Sequence, residues 1–154
     1  MSTLLKSPEA TRRFGVALGR QLQAQDVVAL VGEMGAGKTT FVQGIARGLG
    51  VPAGTVVSPS FVLIREYHGK LPLYHADLFR LERMPEAQTV GLEEYYEADG
   101  VTVIEWANRL PGVLPEEFLE IRFDLVNPTT RKLTFLPHGA RYEKRAWNPK
   151  TAWR

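Results

Sequence analysis

Four residues between positions 32 and 39 have the types and the spacing of a phosphate-binding loop. Gly32, Gly37, Lys38 and Thr39 satisfy the pattern G-x-x-x-x-G-K-[ST] inside the stretch LVGEMGAGKTTF. In this pattern consecutive backbone N–H groups surround a phosphate chain, and glycines allow the backbone to approach it closely. The lysine reaches the β- and γ-phosphates, and the threonine hydroxyl binds Mg²⁺. The sequence therefore predicts that the chain binds a nucleoside triphosphate with Mg²⁺.

Two carboxylates follow apolar segments and are candidates for the chemistry on that phosphate chain. Asp77 ends the segment LYHAD, and Glu105 ends the segment VTVIE. In parallel α/β sheets the ligand lies outside the carboxyl ends of the strands, so both acids are expected beside the loop. One acid would hold the metal ion, directly or through water, and the other would orient the attacking water; the residues alone leave this assignment open. Alternation places His75 on the same strand face as Asp77, where an ordinary half-buried histidine is the simpler interpretation.

Alternating helices and strands are predicted around these residues. A helix begins near Ser7, because a capping serine is followed by proline at the first helical position and by an acid. The apolar run DVVALV is typical of a buried parallel strand, and the residues after the loop predict a helix that stops at Gly50. Further strands are predicted at 60–67, 71–79 and 101–106, a helical segment at 85–98, and a hairpin whose strands flank NPTT.

This order of elements predicts a single α/β domain with the three-layer fold of P-loop NTPases. The sheet is expected to be mostly parallel and to contain the loop strand and the strands of Asp77 and Glu105. Antiparallel additions are expected from the strand at 60–67 and from the C-terminal β-hairpin, with helices on both faces. We assign residues 1–136 to this P-loop domain and residues 137–154 to a basic, tryptophan-containing tail.

Composition limits the class of protein. A chain of 154 residues with 44% hydrophobic content can form one ordinary domain with its own core. The chain has no cysteine, which excludes disulfides and thiolate metal sites. No run approaches the roughly 18 apolar residues that cross a bilayer, and the first residues lack the features of a secretory signal. We therefore expect a cytoplasmic protein without a membrane segment.

The tail at 137–154 is basic although the net charge of the chain is only +2. It carries five lysines and arginines against the single acid Glu143. One interpretation is a terminus that is solvated or partly docked on the body. The other is a contact with RNA or with an acidic partner.

The loop alone leaves several classes of P-loop protein open. No N-K-x-D guanine-binding motif occurs in the chain, so ATP is favoured over GTP. A small-molecule kinase is the alternative function, because such enzymes share the loop and the short length. Arg80 and Arg83 stand where kinases carry an arginine-rich lid, although no long lid insertion is present. A third class is a protein whose partner-binding surface changes with the bound nucleotide.

Five sequence blocks together resemble those of the TsaE family, the ATPase subunits of bacterial tRNA threonylcarbamoyladenosine biosynthesis. The blocks have the order and spacing seen in that family, and the resemblance covers roughly residues 8–136. The glycine loop is common to all P-loop proteins, whereas the remaining blocks are specific. They are GEMGAGKTTF at 32–41, VSPSF at 57–61, LYHADLFRLE at 73–82, GLEEYY at 91–96 and VIEW at 103–106.

The resemblance implies roles for individual residues. It implies catalytic roles for Lys38, Asp77 and Glu105, with Asp77 needed for hydrolysis and with Thr39 and Glu105 on Mg²⁺. It implies a mobile, switch-like segment at 58–61 near the γ-phosphate, where Ser60 replaces the threonine common in the family and keeps the hydroxyl. The implied nucleotide contacts are Thr11, Gly32, Met34, Gly35, Ala36, Gly37, Lys38, Thr39, Thr40, Ser60 and Arg131.

The resemblance also implies the biological setting. ATP hydrolysis would drive or reset partner proteins of the TsaD and TsaB type, which attach a threonylcarbamoyl group to the adenosine beside the tRNA anticodon. Contact with tRNA would be direct or through these partners.

The arginines near the motifs lack the context of an arginine finger, so the isolated protein is expected to be a slow ATPase.

Overall fold

The computed structural model describes residues 1–33, 35–52, 64–78, 91–107 and 111–147. Several predictions concern other residues and lie outside this part of the chain. They are the nucleotide contacts of Met34 and Ser60, the switch-like segment at 58–61, and the placement of Arg80 and Arg83.

The strands of the described ranges form one seven-stranded sheet. Their bounds are β1 Ser2–Leu5, β2 Val27–Gly32, β3 Ile64–Tyr67, β4 Leu73–Asp77, β5 Val101–Glu105, β6 Phe118–Leu125 and β7 Arg131–His138. The spatial order is β1-β7-β6-β2-β5-β4-β3. The pairs β2–β5, β2–β6 and β4–β5 are parallel, whereas β1–β7, β6–β7 and β3–β4 are antiparallel. The sheet is therefore mixed and partly parallel: the predicted parallel strands of the loop, Asp77 and Glu105 are confirmed, and three of the six described pairings are antiparallel.

Antiparallel pairings lie at both ends of the sheet. Strand β1, which the sequence did not predict, pairs with β7 and adds an antiparallel edge. Strand β6 lies parallel to β2, and β7 then returns antiparallel to β6. The predicted hairpin and the antiparallel pairing of β3 are confirmed. Because β6, β2, β5 and β4 run parallel, their carboxyl ends lie at one edge of the sheet, where ligands bind in α/β folds.

Helices lie on both faces of this sheet. Their bounds are α1 Pro8–Gln21, α2 Lys38–Gly48, α3 Leu92–Glu97 and α4 Ala140–Glu143, with a 3-10 turn at Pro111–Val113. The predicted start of α1 is confirmed, since the side chain of Ser7 accepts a hydrogen bond from the N–H of Ala10 at 3.0 Å. Residues of α1 and α2 pack in the larger core, and residues of α3 and the 3-10 turn pack in the smaller one on the other face. Within the described ranges, no helix is long and apolar enough to span a membrane.

Four phenylalanines join α1 and α2 to the sheet. The ring of Phe14 stacks on Phe41 with centroids 6.1 Å apart and meets Phe135 edge-on at 5.7 Å. Phe41 in turn meets Phe123 edge-on at 5.3 Å. All four rings are buried. Burial of each such side chain contributes about 1.5–3 kcal/mol, so this cluster fixes both helices over β6 and β7.

The helices α1 and α2 approach each other backbone to backbone. Glycines four residues apart line the contact on both helices: Gly15 and Gly19 on α1, Gly44 and Gly48 on α2. A Cβ atom at Gly44 would overlap the carbonyl oxygen of Arg12, and the other three glycines face the partner helix's carbonyl oxygens in the same way. Only hydrogen side chains permit this separation, which sets the position of α2 and of the loop that precedes it.

The C-terminal segment holds the start of β2. The backbone N–H of Val27 donates to the hydroxyl of Tyr142 at 2.7 Å. Burial raises the pKa of the Tyr142 phenol, so the hydroxyl stays neutral. The carboxylate of Asp26 is fully buried and pairs with Arg141 at 3.0 Å and with Arg145 at 2.7 Å. These contacts tie the segment that follows β7 to the strand that leads into the glycine loop.

The basic tail is packed onto the body as far as it is described. Strand β7 continues to His138, two residues beyond the boundary drawn at residue 136. Trp147 lies in the larger core, and its indole N–H donates to the carbonyl oxygen of Tyr142 at 2.8 Å. The tail residues Lys150 and Arg154 lie outside the described ranges.

We predict that the substitution Gly44→Ala lowers stability. Alanine is intrinsically better than glycine in a helix by about 1 kcal/mol. Here, however, the added methyl group would press on the backbone of Arg12, and overpacking of this kind costs about 1–3 kcal/mol. Urea unfolding followed by circular dichroism measures the difference. Arg47→Ala, at an exposed position of the same helix, is the control and should stay within about 0.5 kcal/mol of the parent. A Gly44→Ala variant as stable as the parent would contradict the close contact.

Candidate functional site

The glycine loop joins the carboxyl end of β2 to the first residue of α2. Strand β2 ends at Gly32, and α2 begins at Lys38. Gly35 and Gly37 have φ values of 81° and 95°, in the left-handed region that glycine adopts without strain. Gly37 is the N-cap of α2 and offers no side-chain cap. The first N–H groups of α2 are therefore left for an anionic ligand, which the positive end of the helix dipole also attracts.

Arg131 and Thr11 flank this loop from β7 and from α1. The guanidinium of Arg131 donates from Nε to the carbonyl oxygen of Ala36 at 3.1 Å and from Nη2 to that of Gly35 at 3.2 Å. The buried side chain of Thr11 has its methyl carbon 3.9 Å from where a Cβ of Gly37 would lie. The structure thus brings both residues to the loop at which the family resemblance places them.

Lys38 lies inside the site and already has partners. Its Nζ donates to the carbonyl oxygen of Gly32 at 2.6 Å and lies 3.4 Å from the centroid of the Trp106 ring. Burial lowers the pKa of Lys38, and the negative charges of Glu105 and Asp77 act in the opposite direction. Both carboxylates therefore favour the protonated form of the Lys38 ammonium group.

The two acids lie side by side at the carboxyl ends of neighbouring strands. The parallel register of β4 and β5 pairs Asp77 with Glu105, and that of β5 and β2 pairs Glu105 with Leu30. Both carboxyl side chains are buried, with residue exposures of 6% and 3%. The arrangement places two acids and the Lys38 ammonium group at one edge of the sheet, next to the glycine loop.

His75 is fully buried, rather than half-buried as its spacing suggested. Its Nε2 lies 2.6 Å from Oε2 of Glu105. Sequence reasoning placed His75 on the face of Asp77 but did not foresee the bond to Glu105. The signal was present, because Asp77 and Glu105 pair in register and the residue two positions before Asp77 shares its face.

Trp106 packs against the core and also lines the site. It follows β5 with a φ of 59°, rare for a residue other than glycine, and packs against the smaller core. Its ring also faces the ammonium group of Lys38, and Trp106 lines a cavity of about 650 Å³ together with Gly32 and Ala36 of the loop. The strained backbone turns the indole from the end of β5 towards the loop.

The donor set fits Mg²⁺. Within the described ranges there is no group of three or more histidine, cysteine or acidic residues that could hold a metal ion by themselves. Mg²⁺ does not require one, because it is usually bound through one or two carboxylates together with phosphates and water. Thr39 in the first turn of α2 and Glu105 at the end of β5 are oxygen donors of the type that this ion prefers.

Comparisons with known proteins cover nearly the whole chain. The sequence model of the family described as Threonylcarbamoyl adenosine biosynthesis protein TsaE matches residues 5–133. The tRNA threonylcarbamoyladenosine biosynthesis protein TsaE of Bacillus subtilis (strain 168) is 41% identical over 138 residues, 89% of this chain and 85% of the relative. The protein of the same name from Treponema pallidum (strain Nichols) is 39% identical over 134 residues, 87% of this chain and 98% of the relative. The crystal structure of Bacillus subtilis YdiB matches with a TM-score of 0.78 and 35% identity, over 94% of this chain and 89% of that one.

Proposed function

Because the chain belongs to the TsaE family, we propose that it binds ATP with Mg²⁺ and hydrolyses it in support of tRNA threonylcarbamoyladenosine synthesis. One observation carries this proposal. A glycine loop between β2 and α2 and two buried carboxylates on β4 and β5 meet at the same edge of the sheet. The glycines give the phosphates access to backbone N–H groups, and the carboxylates supply the acids that hydrolysis needs.

ATP binding replaces two contacts that Lys38 makes in the structure. Lys38 exchanges the carbonyl oxygen of Gly32 and the ring of Trp106 for phosphate oxygens. The exchange is favourable because burial disfavours the charged form of Lys38, whereas the negative charge of a polyphosphate favours it. Thr40 lies in the same first turn of α2 as Thr39, where backbone N–H groups are available to the phosphates.

The acids divide the work on the γ-phosphate. Thr39 and Glu105 hold the Mg²⁺, which when bound neutralises negative charge on the phosphate chain. Asp77, on the next strand, orients the water that attacks the γ-phosphate. Glu105 has a side-chain partner beside its metal-binding role in this proposal, because its Oε2 lies 2.6 Å from Nε2 of the buried His75.

ATP hydrolysis drives or resets partner proteins of the TsaD and TsaB type. In this proposal tRNA is contacted through those partners, rather than by the basic tail. Arg141 and Arg145 of the tail support that choice, because both are bound to the buried carboxylate of Asp26.

The first test removes the charge at the centre of the site. Lys38→Ala should weaken ATP binding at least about tenfold and abolish hydrolysis, because a charge-assisted bond to phosphate contributes about 1.5–3 kcal/mol. Titration calorimetry measures the affinity, and circular dichroism checks that the variant is folded. Lys144→Ala changes an exposed lysine outside the site and should leave both properties unchanged. Unchanged ATP affinity in a folded Lys38→Ala variant would overturn the assignment of the site.

The second test separates the two acids. Asp77→Asn should reduce the turnover number more than the affinity for ATP, whereas Glu105→Gln should mainly raise the Mg²⁺ concentration needed for half-maximal activity. Steady-state assays over a series of Mg²⁺ concentrations give both quantities. The opposite pattern would exchange the roles of the acids, and two variants indistinguishable from the parent would remove both acids from the site.

The third test concerns partners and the acceptor of the phosphoryl group. The isolated protein should turn over below roughly 1 s⁻¹, the lower end of ordinary enzyme rates. Purified TsaD- and TsaB-type partners should accelerate it and should be captured differently by the ATP- and ADP-bound forms. With ATP labelled on the γ-phosphate, the label should appear as inorganic phosphate in the presence of a metabolite extract. Transfer of the label to a metabolite, without a partner effect, would establish the kinase alternative.

A further inference from the structure

A buried histidine supports one of the two acids from below the site. His75 lies on β4 two residues before Asp77, and its residue exposure is 0%. Its Nε2 is 2.6 Å from Oε2 of Glu105, on the neighbouring strand β5. On the other side of the ring, Nδ1 has no hydrogen-bond partner among the described residues.

These contacts determine which nitrogen carries the proton. A carboxylate oxygen accepts hydrogen bonds, so the nitrogen that faces Glu105 must donate. Nδ1 has no acceptor within the described ranges to which an N–H could donate. The hydrogen bond therefore needs a proton on Nε2, whereas Nδ1 makes no hydrogen bond within the described ranges. In this state Oε2 of Glu105 is occupied by the histidine, and Oε1 is the oxygen left for another partner.

The position of the pair argues against a role in stability alone. A buried polar pair contributes little net stability compared with apolar side chains of similar size. On the same face of β4 and β5, the neighbours towards the amino ends are apolar: Leu73, Val101 and Val103 belong to the larger core. The polar pair replaces these apolar side chains at the carboxyl ends of β4 and β5. There, in the proposed function, the carboxylate of Glu105 faces the metal ion.

We propose that His75 is a positioning residue that holds the carboxylate of Glu105 in the orientation needed for Mg²⁺; this inference rests on the proposed function. Hydrogen-bonded partners of metal-binding carboxylates fix their orientation, and loss of such a partner typically weakens metal binding 10–100-fold. Strand β4 then serves the site twice, through Asp77 at the loop and through His75 beneath Glu105.

Three variants test this role. His75→Leu removes the donor and fills the space with an apolar side chain, whereas His75→Gln keeps an N–H donor at a similar distance from the backbone. The matched control is His138→Leu, which removes a second histidine–glutamate pair, to Glu120 at 3.0 Å, on the β6–β7 hairpin. Calorimetry of ATP binding over a series of Mg²⁺ concentrations gives the Mg²⁺ dependence, and thermal unfolding reports stability separately.

The expected result is a selective loss. His75→Leu should raise the Mg²⁺ concentration for half-maximal ATP binding about 10–100-fold and leave ATP binding without Mg²⁺ unchanged. His75→Gln should restore most of the Mg²⁺ dependence, and His138→Leu should not change it. In the nucleotide-free protein, nitrogen NMR of the three histidines should show His75 with its proton on Nε2, and Glu105→Gln should shift that signal.

Three outcomes would overturn the inference. A folded His75→Leu variant with the Mg²⁺ dependence of the parent would show that Glu105 needs no support. If His75→Leu and His75→Gln lost stability to the same extent, and also lost the Mg²⁺ dependence to the same extent, His75 would have a structural role only. An NMR signal with the proton on Nδ1 would contradict the hydrogen bond. Absence of Mg²⁺-dependent ATP binding in the parent protein would instead overturn the proposed function, so the two failures are distinguishable.

Discussion

The close approach of α1 and α2 is the constraint on which the geometry of the site depends. Glycines on both helices let the two backbones come into contact, and the phenylalanine cluster beside them presses both helices onto the sheet. Since α2 begins directly at the glycine loop, its distance from α1 decides where the loop stands. Thr11 reaches the loop only because α1 lies this close. A larger side chain in the contact would move the glycine loop away from the carboxylates of the sheet.

The sheet supplies the second half of the site through its register. In a parallel sheet, residues that pair across neighbouring strands end at the same height, so Asp77 and Glu105 arrive together without any loop having to position them. The hydrogen bond from His75 uses the same register one step below. Lys38 then lies near two buried negative charges, which favour its charged form against the effect of burial. The sheet thus holds in place the two acids that act on the charge of Lys38.

Much of this arrangement could be predicted from local patterns. The glycine loop, the capped start of α1 and the C-terminal hairpin have signals within a few residues, and each is present in the structure. The carboxyl-end rule for α/β sheets anticipated that Asp77 and Glu105 would lie beside the loop. Family resemblance, rather than residue patterns, singled out Thr11 and Arg131, whose places depend on contacts between residues distant in the chain.

The remaining features depend on long-range contacts that have no local pattern. Strand β1 is short and pairs only with β7, so nothing around Ser2–Leu5 indicates a strand. The glycines of α1 and α2 weaken each helix locally, and their purpose is visible only when both helices are placed together. The charges of Arg141 and Arg145 left two interpretations open, a docked tail or an external partner, because their partner within the chain, Asp26, lies more than a hundred positions earlier.

The docking of the C-terminal segment also sets the order in which the chain can fold during synthesis. Asp26 and Val27 leave the ribosome early, but the side chains that bind them belong to Arg141, Tyr142 and Arg145. The outer strand β1 likewise forms only after β7, its one partner among the described strands. Contacts between such distant residues form slowly, because the chain loses the entropy of closing a long loop before the contacts stabilise it. The strand that leads into the phosphate loop is therefore among the first parts of the protein to be made and among the last to be secured.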